Sequence, residues 1–287
     1  MLLLIALLLC GCGNEVRSGF VPVSGGGRIY YEEKGEGEPL ILLHGHSLDT
    51  RMWDLQFDEF AQHYRVVRLD FRGYGRSSKQ SETFQFTHLD DLLTLMDGLH
   101  IDKAHIVGLS MGSFVAGDML AMAPERMLSC VMASGGIRSV QGPSEPMGPE
   151  ESARRDKEIA ELNAKGIDIY KREWLEALVS GGGSRREEMR EPLWQMINDW
   201  DAWQPLHKEV RMFWAREAWK RLEEVRHLVP TLMIRGETET KGKPYTPKEL
   251  QFLPNGVALS LPDCGHMMNM EQPEAFNRAV LRFIEEI

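Results

Sequence analysis

Short apolar runs alternate with longer amphipathic stretches along most of the chain. Residues 39–43, 65–69, 104–108, 128–133, 230–235 and 257–261 are compact runs dominated by Val, Ile, Leu and Met. Continuous apolar runs of this length predict strands covered on both faces. Between them, residues 49–63, 87–98, 111–123, 246–252 and 273–287 read as helices. Such alternation predicts an α/β fold with a mostly parallel central sheet and helices on both faces. Residues 20–31, broken by Ser24-Gly25-Gly26-Gly27, predict a hairpin ahead of that sheet. Ligands in sheets of this kind gather beyond the carboxyl ends of the strands, where the turns carrying His44, Asp70 and Ser110 fall.

The pattern breaks at Gly135. Residues 142–149 read G-P-S-E-P-M-G-P, a breaker-rich linker, and residues 150–226 are charged, helical in period and hold six of the seven tryptophans. Leu193, Ile197 and Trp200 fall at i, i+4, i+7, and Val210, Phe213 and Trp214 at i, i+3, i+4, which predicts apolar stripes on helices. The expected organisation is a core of residues 20–136 and 227–287, interrupted by a helical cap at 137–226. Trp200, Trp203 and Trp214 are candidates to line an apolar pocket under that cap, the alternative being that they only pack it on the core. Gly181-Gly182-Gly183 reads as a surface loop.

The N-terminus differs from both. M-L-L-L-I-A-L-L-L carries about nine apolar residues, too few for a membrane span of roughly 20, and matches the hydrophobic region of a signal peptide. Leu9-Cys10-Gly11-Cys12 looks like a bacterial lipobox. That resemblance implies cleavage after residue 11, acylation of Cys12, a tether over 12–19 and an exported, membrane-anchored lipoprotein. Cys130 and Cys264 fall near opposite ends of the expected sheet, so no disulfide between them is expected.

Composition narrows the function. The 287 residues are 43% hydrophobic and 26% charged, ordinary for a globular chain, with a formal net charge of -10. No concentrated basic tract is present, which argues against nucleic acid as a partner. The sequence lacks a dinucleotide glycine fingerprint, a phosphate-binding loop and metal-ligand spacing of Cys or His, so neither cofactor nor metal is expected.

Chemistry enters at Gly108-Leu109-Ser110-Met111-Gly112. This G-x-S-x-G follows a strand-like run and precedes a buried helix, the setting in which a sharp turn lifts a serine hydroxyl clear of a sheet. Ser110 is the candidate nucleophile. A serine hydroxyl is too weak an acid to attack alone, so it requires a base within hydrogen-bond reach and a carboxylate to orient that base.

With L-L-H-G-H-S, D-F-R-G-Y-G-R-S-S, V-G-L-S-M-G and P-D-C-G-H-M-M-N-M-E-Q-P in this order, the chain resembles the α/β-hydrolase superfamily, in its cap-bearing esterase and lactonase branch. The resemblance runs from about residue 20 to the C-terminus and weakens in the cap. It implies that His266, on the loop after the last strand, is the base. It places the acid three residues after the glycine ending the strand that follows the cap, which is Glu239; Asp is usual there, and Glu237 stands as the alternative. Backbone N–H groups of His46 and Met111 become the oxyanion donors. The His46 ring is a candidate to contact substrate, the alternative being a solvated or packed ring, and Met267 is a candidate for a soft wall near the acyl site, the alternative being core packing. His44 and His105 are expected to be structural, and His88, His100, His207 and His227 to be solvated. Asp263 is a loop residue, Asp70 braces its turn with Arg72, and Glu271 and Pro273 open a helix.

The implied activity is hydrolysis of a small to medium carboxylic ester or lactone through an acyl-enzyme. Carbon–carbon bond hydrolysis and cofactor-free haloperoxidase-like chemistry are alternatives on the same fold. A non-catalytic surface binding protein with a degraded triad is the alternative of another class. Epoxide hydrolases and haloalkane dehalogenases are disfavoured because they use Asp as nucleophile, and proline iminopeptidases because they usually carry Trp at the position of Met111.

Overall fold

The computed structural model describes residues 15–81, 84–137, 148–208, 216–224 and 228–287. The signal and lipobox residues, with Cys10 and Cys12, lie outside these, as do the greater part of the 142–149 linker, Val210, Phe213, Trp214 and His227.

Eight strands form one sheet: β1 (Arg17–Pro22), β2 (Arg28–Lys34), β3 (Pro39–Leu43), β4 (Arg65–Leu69), β5 (Ala104–Leu109), β6 (Met127–Ala133), β7 (Thr231–Gly236) and β8 (Gly256–Leu261). Their spatial order is β1-β2-β4-β3-β5-β6-β7-β8. β1 pairs antiparallel with β2 through the expected glycine turn, and β2 antiparallel with β4; every later pairing is parallel. Most of the apolar runs became strands because their side chains are buried on both faces; β8, at the sheet edge, departs from the expectation, with Val257, Ala258 and Leu259 exposed. Leu40 to Leu43 are all inaccessible, as are Ile106, Val107 and Leu109 of β5.

Helices cover both faces. On the core they are α1 (Asp54–Phe60), α2 (His88–Gly98) and α3 (Met111–Met122); α4 (Pro149–Lys165), α5 (Ile167–Ser180), α6 (Arg190–Asp199) and α7 (Trp203–Leu206) follow β6 as the cap. Next comes α8 (Arg216–Glu224), whose Ala218 and Leu222 are buried in the same cluster as the α3 residues Val115 and Met119. It packs on the sheet side, as a crossover returning the chain to a parallel strand must. The short turns α9 (Glu237–Thr240) and α10 (Met268–Glu271) follow β7 and β8, and α11 (Pro273–Glu285) closes the chain. No helix among the described residues is long and apolar enough to cross a membrane.

Two helices differ from the sequence pattern. The segment expected over 49–63 divides into a 3-10 turn, Thr50–Trp53, and α1, because the Asp49 carboxylate accepts from the Arg51 N–H and tightens the entry. The segment expected over 246–252 is only a 3-10 turn, Lys248–Phe252, where Pro247 and the Gly256 turn leave no room for a longer helix. By contrast α2 begins where Thr87 caps it, its hydroxyl accepting from Asp90 N–H at 3.1 Å. Cys130 and Cys264 are free thiols, both buried.

Candidate active site

The turn between β5 and α3 lifts Ser110 out of the sheet. Its φ of 55° and ψ of −112° are strained for a residue with a side chain. Both flanking glycines are sterically required. A Cβ at Gly108 would collide with the Gly112 carbonyl, and one at Gly112 with the Leu43 carbonyl of β3. The turn is held by Ser110 N–H donating to the Ala133 carbonyl at 2.9 Å and Phe114 N–H donating back to the Ser110 carbonyl at 3.2 Å. Met111 is the first residue of α3, so its N–H has no acceptor within the helix.

The loop after β3 runs alongside. A Cβ at Gly45 would lie 3.6 Å from the Ser110 Cβ, so the His44–Ser47 segment borders Ser110. His44 locks this loop. Its Nε2 accepts from Phe71 N–H at 3.0 Å, so Nδ1 carries the proton and donates to the Gly45 carbonyl at 2.7 Å. Burial pushes its pKa down to about 4 and keeps this neutral tautomer.

His46 points into an aromatic cluster. Its ring meets Trp200 edge-on at 4.8 Å, Tyr74 at 5.8 Å and Trp174 at 5.9 Å between centroids, and Nδ1 lies 2.8 Å from the Tyr74 hydroxyl. Burial, reinforced by His44, lowers its pKa to about 4. Trp174 Nε1 donates to Ser47 Oγ at 2.7 Å, and Ser47 Oγ donates to the His46 carbonyl. The cap thereby fastens the loop that carries the expected oxyanion donor. Trp203 stacks on His207 at 4.3 Å, its ring partner within the cap. Met267 is buried in a core cluster with Met268 and Phe276, as the packing alternative expected.

His266 and Glu239, the expected base and acid, meet. His266 Nδ1 lies 2.8 Å from Glu239 Oε1, and because a carboxylate only accepts, Nδ1 donates and Nε2 is left as the basic nitrogen. Glu239 Oε2 accepts from Ser134 Oγ at 2.6 Å. Burial alone would raise the Glu239 pKa, but the His266 hydrogen bond and charge, the Ser134 hydroxyl and Arg235 outweigh it and hold the carboxyl below its ordinary range. The short turn α9 carries Glu239 round to this position, which accommodates the methylene that Glu has beyond Asp. Glu237 is exposed and accepts from Asp263 N–H at 3.3 Å instead.

Several roles differ from those the sequence implied. Arg72 does not brace Asp70: it forms a buried bidentate pair with Asp91 at 2.7 and 2.8 Å. Asp70 instead accepts backbone N–H groups of Thr50 and Arg76. His88 is not solvated but fully buried among Phe71, Tyr74 and Phe86, with burial lowering its pKa to about 3. His207 is half-buried, whereas His100 is exposed as expected. His105 sits within β5 at 2.8 Å from Ser129 Oγ, a structural residue. Asp263 binds Ser184 of the cap, accepting from its N–H at 2.8 Å. Glu271 is fully buried, and residues 181–183 are docked on the core rather than free. Ser134, Tyr74 and Trp174 go beyond the site residues that the sequence implies: Tyr74 stands within the D-F-R-G-Y-G-R-S-S motif, Trp174 is one of the cap tryptophans, and Ser134 is the first residue after β6.

The profile of the Alpha/beta hydrolase family matches residues 40–279, and the chain belongs to that family. Among relatives it is 28% identical over 269 residues to a provisionally named non-heme bromoperoxidase of Mycobacterium tuberculosis, covering 90% of this chain and 98% of that one. A crystal structure of a hydrolase from Pseudomonas aeruginosa superposes with a TM-score of 0.71 at 27% identity, covering 93% and 98% of the two chains. Est816, an N-acyl homoserine lactone degrading enzyme, superposes with a TM-score of 0.66 at 26% identity, covering 92% and 100%.

Proposed function

We propose that the protein is a serine hydrolase that cleaves a small to medium carboxylic ester or lactone. Ser110 attacks the carbonyl carbon while His266 Nε2 takes its proton, and Glu239 stabilises the imidazolium that forms. The N–H groups of Met111 and His46 receive the oxyanion, a contribution of about 2.7–4 kcal/mol for one such donor. Collapse of the tetrahedral intermediate expels the alcohol, protonated by His266, and leaves an acyl-enzyme that water hydrolyses by the same route. The observation that carries this reading is the His266–Glu239 pair at 2.8 Å on loops that follow β8 and β7, beside a sheet whose β5 ends in a strained serine turn. The lactone-degrading neighbour and the lack of basic clusters in the sequence support an uncharged or weakly charged substrate.

The test is hydrolysis of p-nitrophenyl esters from acetate to decanoate, together with acyl homoserine lactones, by wild type and Ser110→Ala. Turnover in wild type and its loss to below about a thousandth in the variant is the expected result. Equal activity in both would remove Ser110 from the mechanism, and a wild type that neither turns over nor reacts with a fluorophosphonate would favour a non-catalytic binding protein.

We also propose export with acylation at Cys12, a reading that rests on the lipobox-like sequence alone. Incorporation of labelled palmitate into wild type but not Cys12→Ser is the expected outcome; equal incorporation in both would count against it.

A further inference from the structure

The site contains a buried carboxylate that the triad does not use. Glu271 is wholly inaccessible, and its two oxygens are divided between two segments. Oε1 accepts from Gly265 N–H at 3.1 Å, the residue immediately before His266. Oε2 accepts from Gly183 N–H at 2.6 Å, in the cap turn that follows α5. A buried carboxylate is costly unless its lone pairs are met, and here backbone donors from two different loops meet them.

The same two loops touch without intervening side chains. A Cβ at Gly183 would collide with the Asp263 carbonyl, one at Gly265 with the Gly181 carbonyl, and one at Gly236 with the Gly265 carbonyl. Thr238 Oγ1, two residues after β7, lies 2.6 Å from the Gly181 carbonyl and 3.0 Å from the Cys264 carbonyl. Ser184 donates through both N–H and Oγ to Asp263. Cap turn, base loop and acid loop are therefore one hydrogen-bonded unit with Glu271 at its centre.

We propose that Glu271 is a positioning residue for His266: its carboxylate, shared between the base loop and the 181–184 turn, holds the imidazole on Glu239 while the cap is seated. The cap then does more than wall the pocket. Its docking through Gly183 fixes the backbone on which the base stands, so cap displacement and base misalignment are the same event. This rests on the serine hydrolase reading above for its effect on turnover, but not for its effect on the His266–Glu239 hydrogen bond.

The experiment reads both. Glu271→Gln keeps the shape but turns an amide NH2 toward one of the two N–H donors. We expect kcat for the best p-nitrophenyl ester to fall about 10–100-fold, the scale of a displaced catalytic group, with KM within about twofold. The downfield proton NMR signal of His266 Nδ1–H should shift upfield or broaden, with fluorophosphonate labelling still reaching one site per chain but more slowly. A folded Glu271→Gln variant with that proton and kcat both as in wild type overturns the proposal. Should Glu271→Gln not fold, Thr238→Val, at an exposed position, removes the second bridge between cap turn and base loop. A kcat lowered about threefold with a perturbed Nδ1 proton supports the clasp; a proton unchanged from wild type overturns it. In a wild type without esterase activity, loss of the proton signal on Glu271→Gln still supports the positioning role while the hydrolase reading alone fails.

Discussion

Each oxygen of Glu239 has one partner, and the two partners do different work. Oε1 fixes the His266 tautomer, and Oε2 is held by Ser134. Glu239→Gln presents an amide that can offer a donor where the imidazole needs an acceptor, and kcat is expected to fall on the order of 10⁴-fold. Glu237→Gln is expected to leave turnover within about twofold, because that side chain is exposed and turned to the Asp263 N–H; steady-state kinetics of the two variants side by side decide the acid. Ser134→Ala removes one hydrogen bond worth about 1 kcal/mol, so a kcat loss of about fivefold is expected, without the tautomer penalty. A drop as large as that of Glu239→Gln would mean that Ser134 does more than steady the carboxylate. The strained turn at Ser110 and the meeting of His266 with Glu239 were legible because their backbone settings leave a sequence mark: a glycine pair, a loop after the final strand, a fixed offset from Gly236. Ser134 left none beyond its place after β6, since a single hydroxyl at a strand end looks like any turn serine. His88 was misread for a related reason. It begins a helix whose pattern says nothing of the Phe71, Tyr74 and Phe86 rings that enclose it, and those come from separate parts of the chain.

At the scale of elements, the nucleophile turn depends on how closely α3 approaches β3. Gly112 has no space for a Cβ against the Leu43 carbonyl, so Gly112→Ala must push helix from strand. The expected cost is about 1–3 kcal/mol in unfolding free energy, read from urea denaturation, with labelling of Ser110 slowed in the protein that remains folded. An unchanged urea midpoint would show that the helix can shift without loss. Strand positions were readable because parallel strands are nearly continuous apolar runs, and six of them, five interior and the exposed edge strand β8, were placed within a residue or so of their ends. The 246–252 segment was not, since its length and composition suit a helix while its flanking turns decide against one. The cap was the least legible element. Its stripe through Leu193, Ile197 and Trp200 is buried as the spacing implied, but where the cap docks depends on glycine contacts and on Glu271, none of which has a period.

For the molecule as a whole, histidines that burial keeps uncharged govern acid stability: His44, His46, His88 and His105 all have their pKa lowered by it. His44 and His46 titrate near 4 and His88 near 3 in the folded state, against an ordinary 6.5. Below 6.5 the unfolded chain therefore binds protons that the folded chain refuses, so their contribution is present above that pH and lost as pH falls toward 4. Asp70 works the other way. Burial raises its carboxyl from 3.8 to about 6, so the folded state holds that proton more readily and loses stability as pH rises through this window. Asp91 is raised by burial as well, but the four lowered histidines outweigh the two raised carboxyls, and the urea midpoint is expected to decline steadily from about pH 6.5 to about pH 4.5. Glu239, whose carboxyl lies below its usual range, adds a further loss as pH falls below its unfolded value of 4.5. A midpoint constant from pH 7 to pH 5 would mean that these rings are hydrated in solution.

The two interior thiols offer a clock for motions of the protein. Cys130 lies in the middle of the sheet, and burial pushes its thiol far above the ordinary range, while Cys264 sits in the base loop with its thiol pushed up to about 12. Neither can react with a maleimide until its surroundings open, and the two surroundings open by different routes. Alkylation of Cys130 is expected to require the sheet itself to separate, whereas Cys264, beside Gly265 in the loop packed on the cap turn, is expected to become reachable when that loop opens locally. Peptide-resolved alkylation rates would thus time the cap's local release separately from global unfolding, using residues the chain already has.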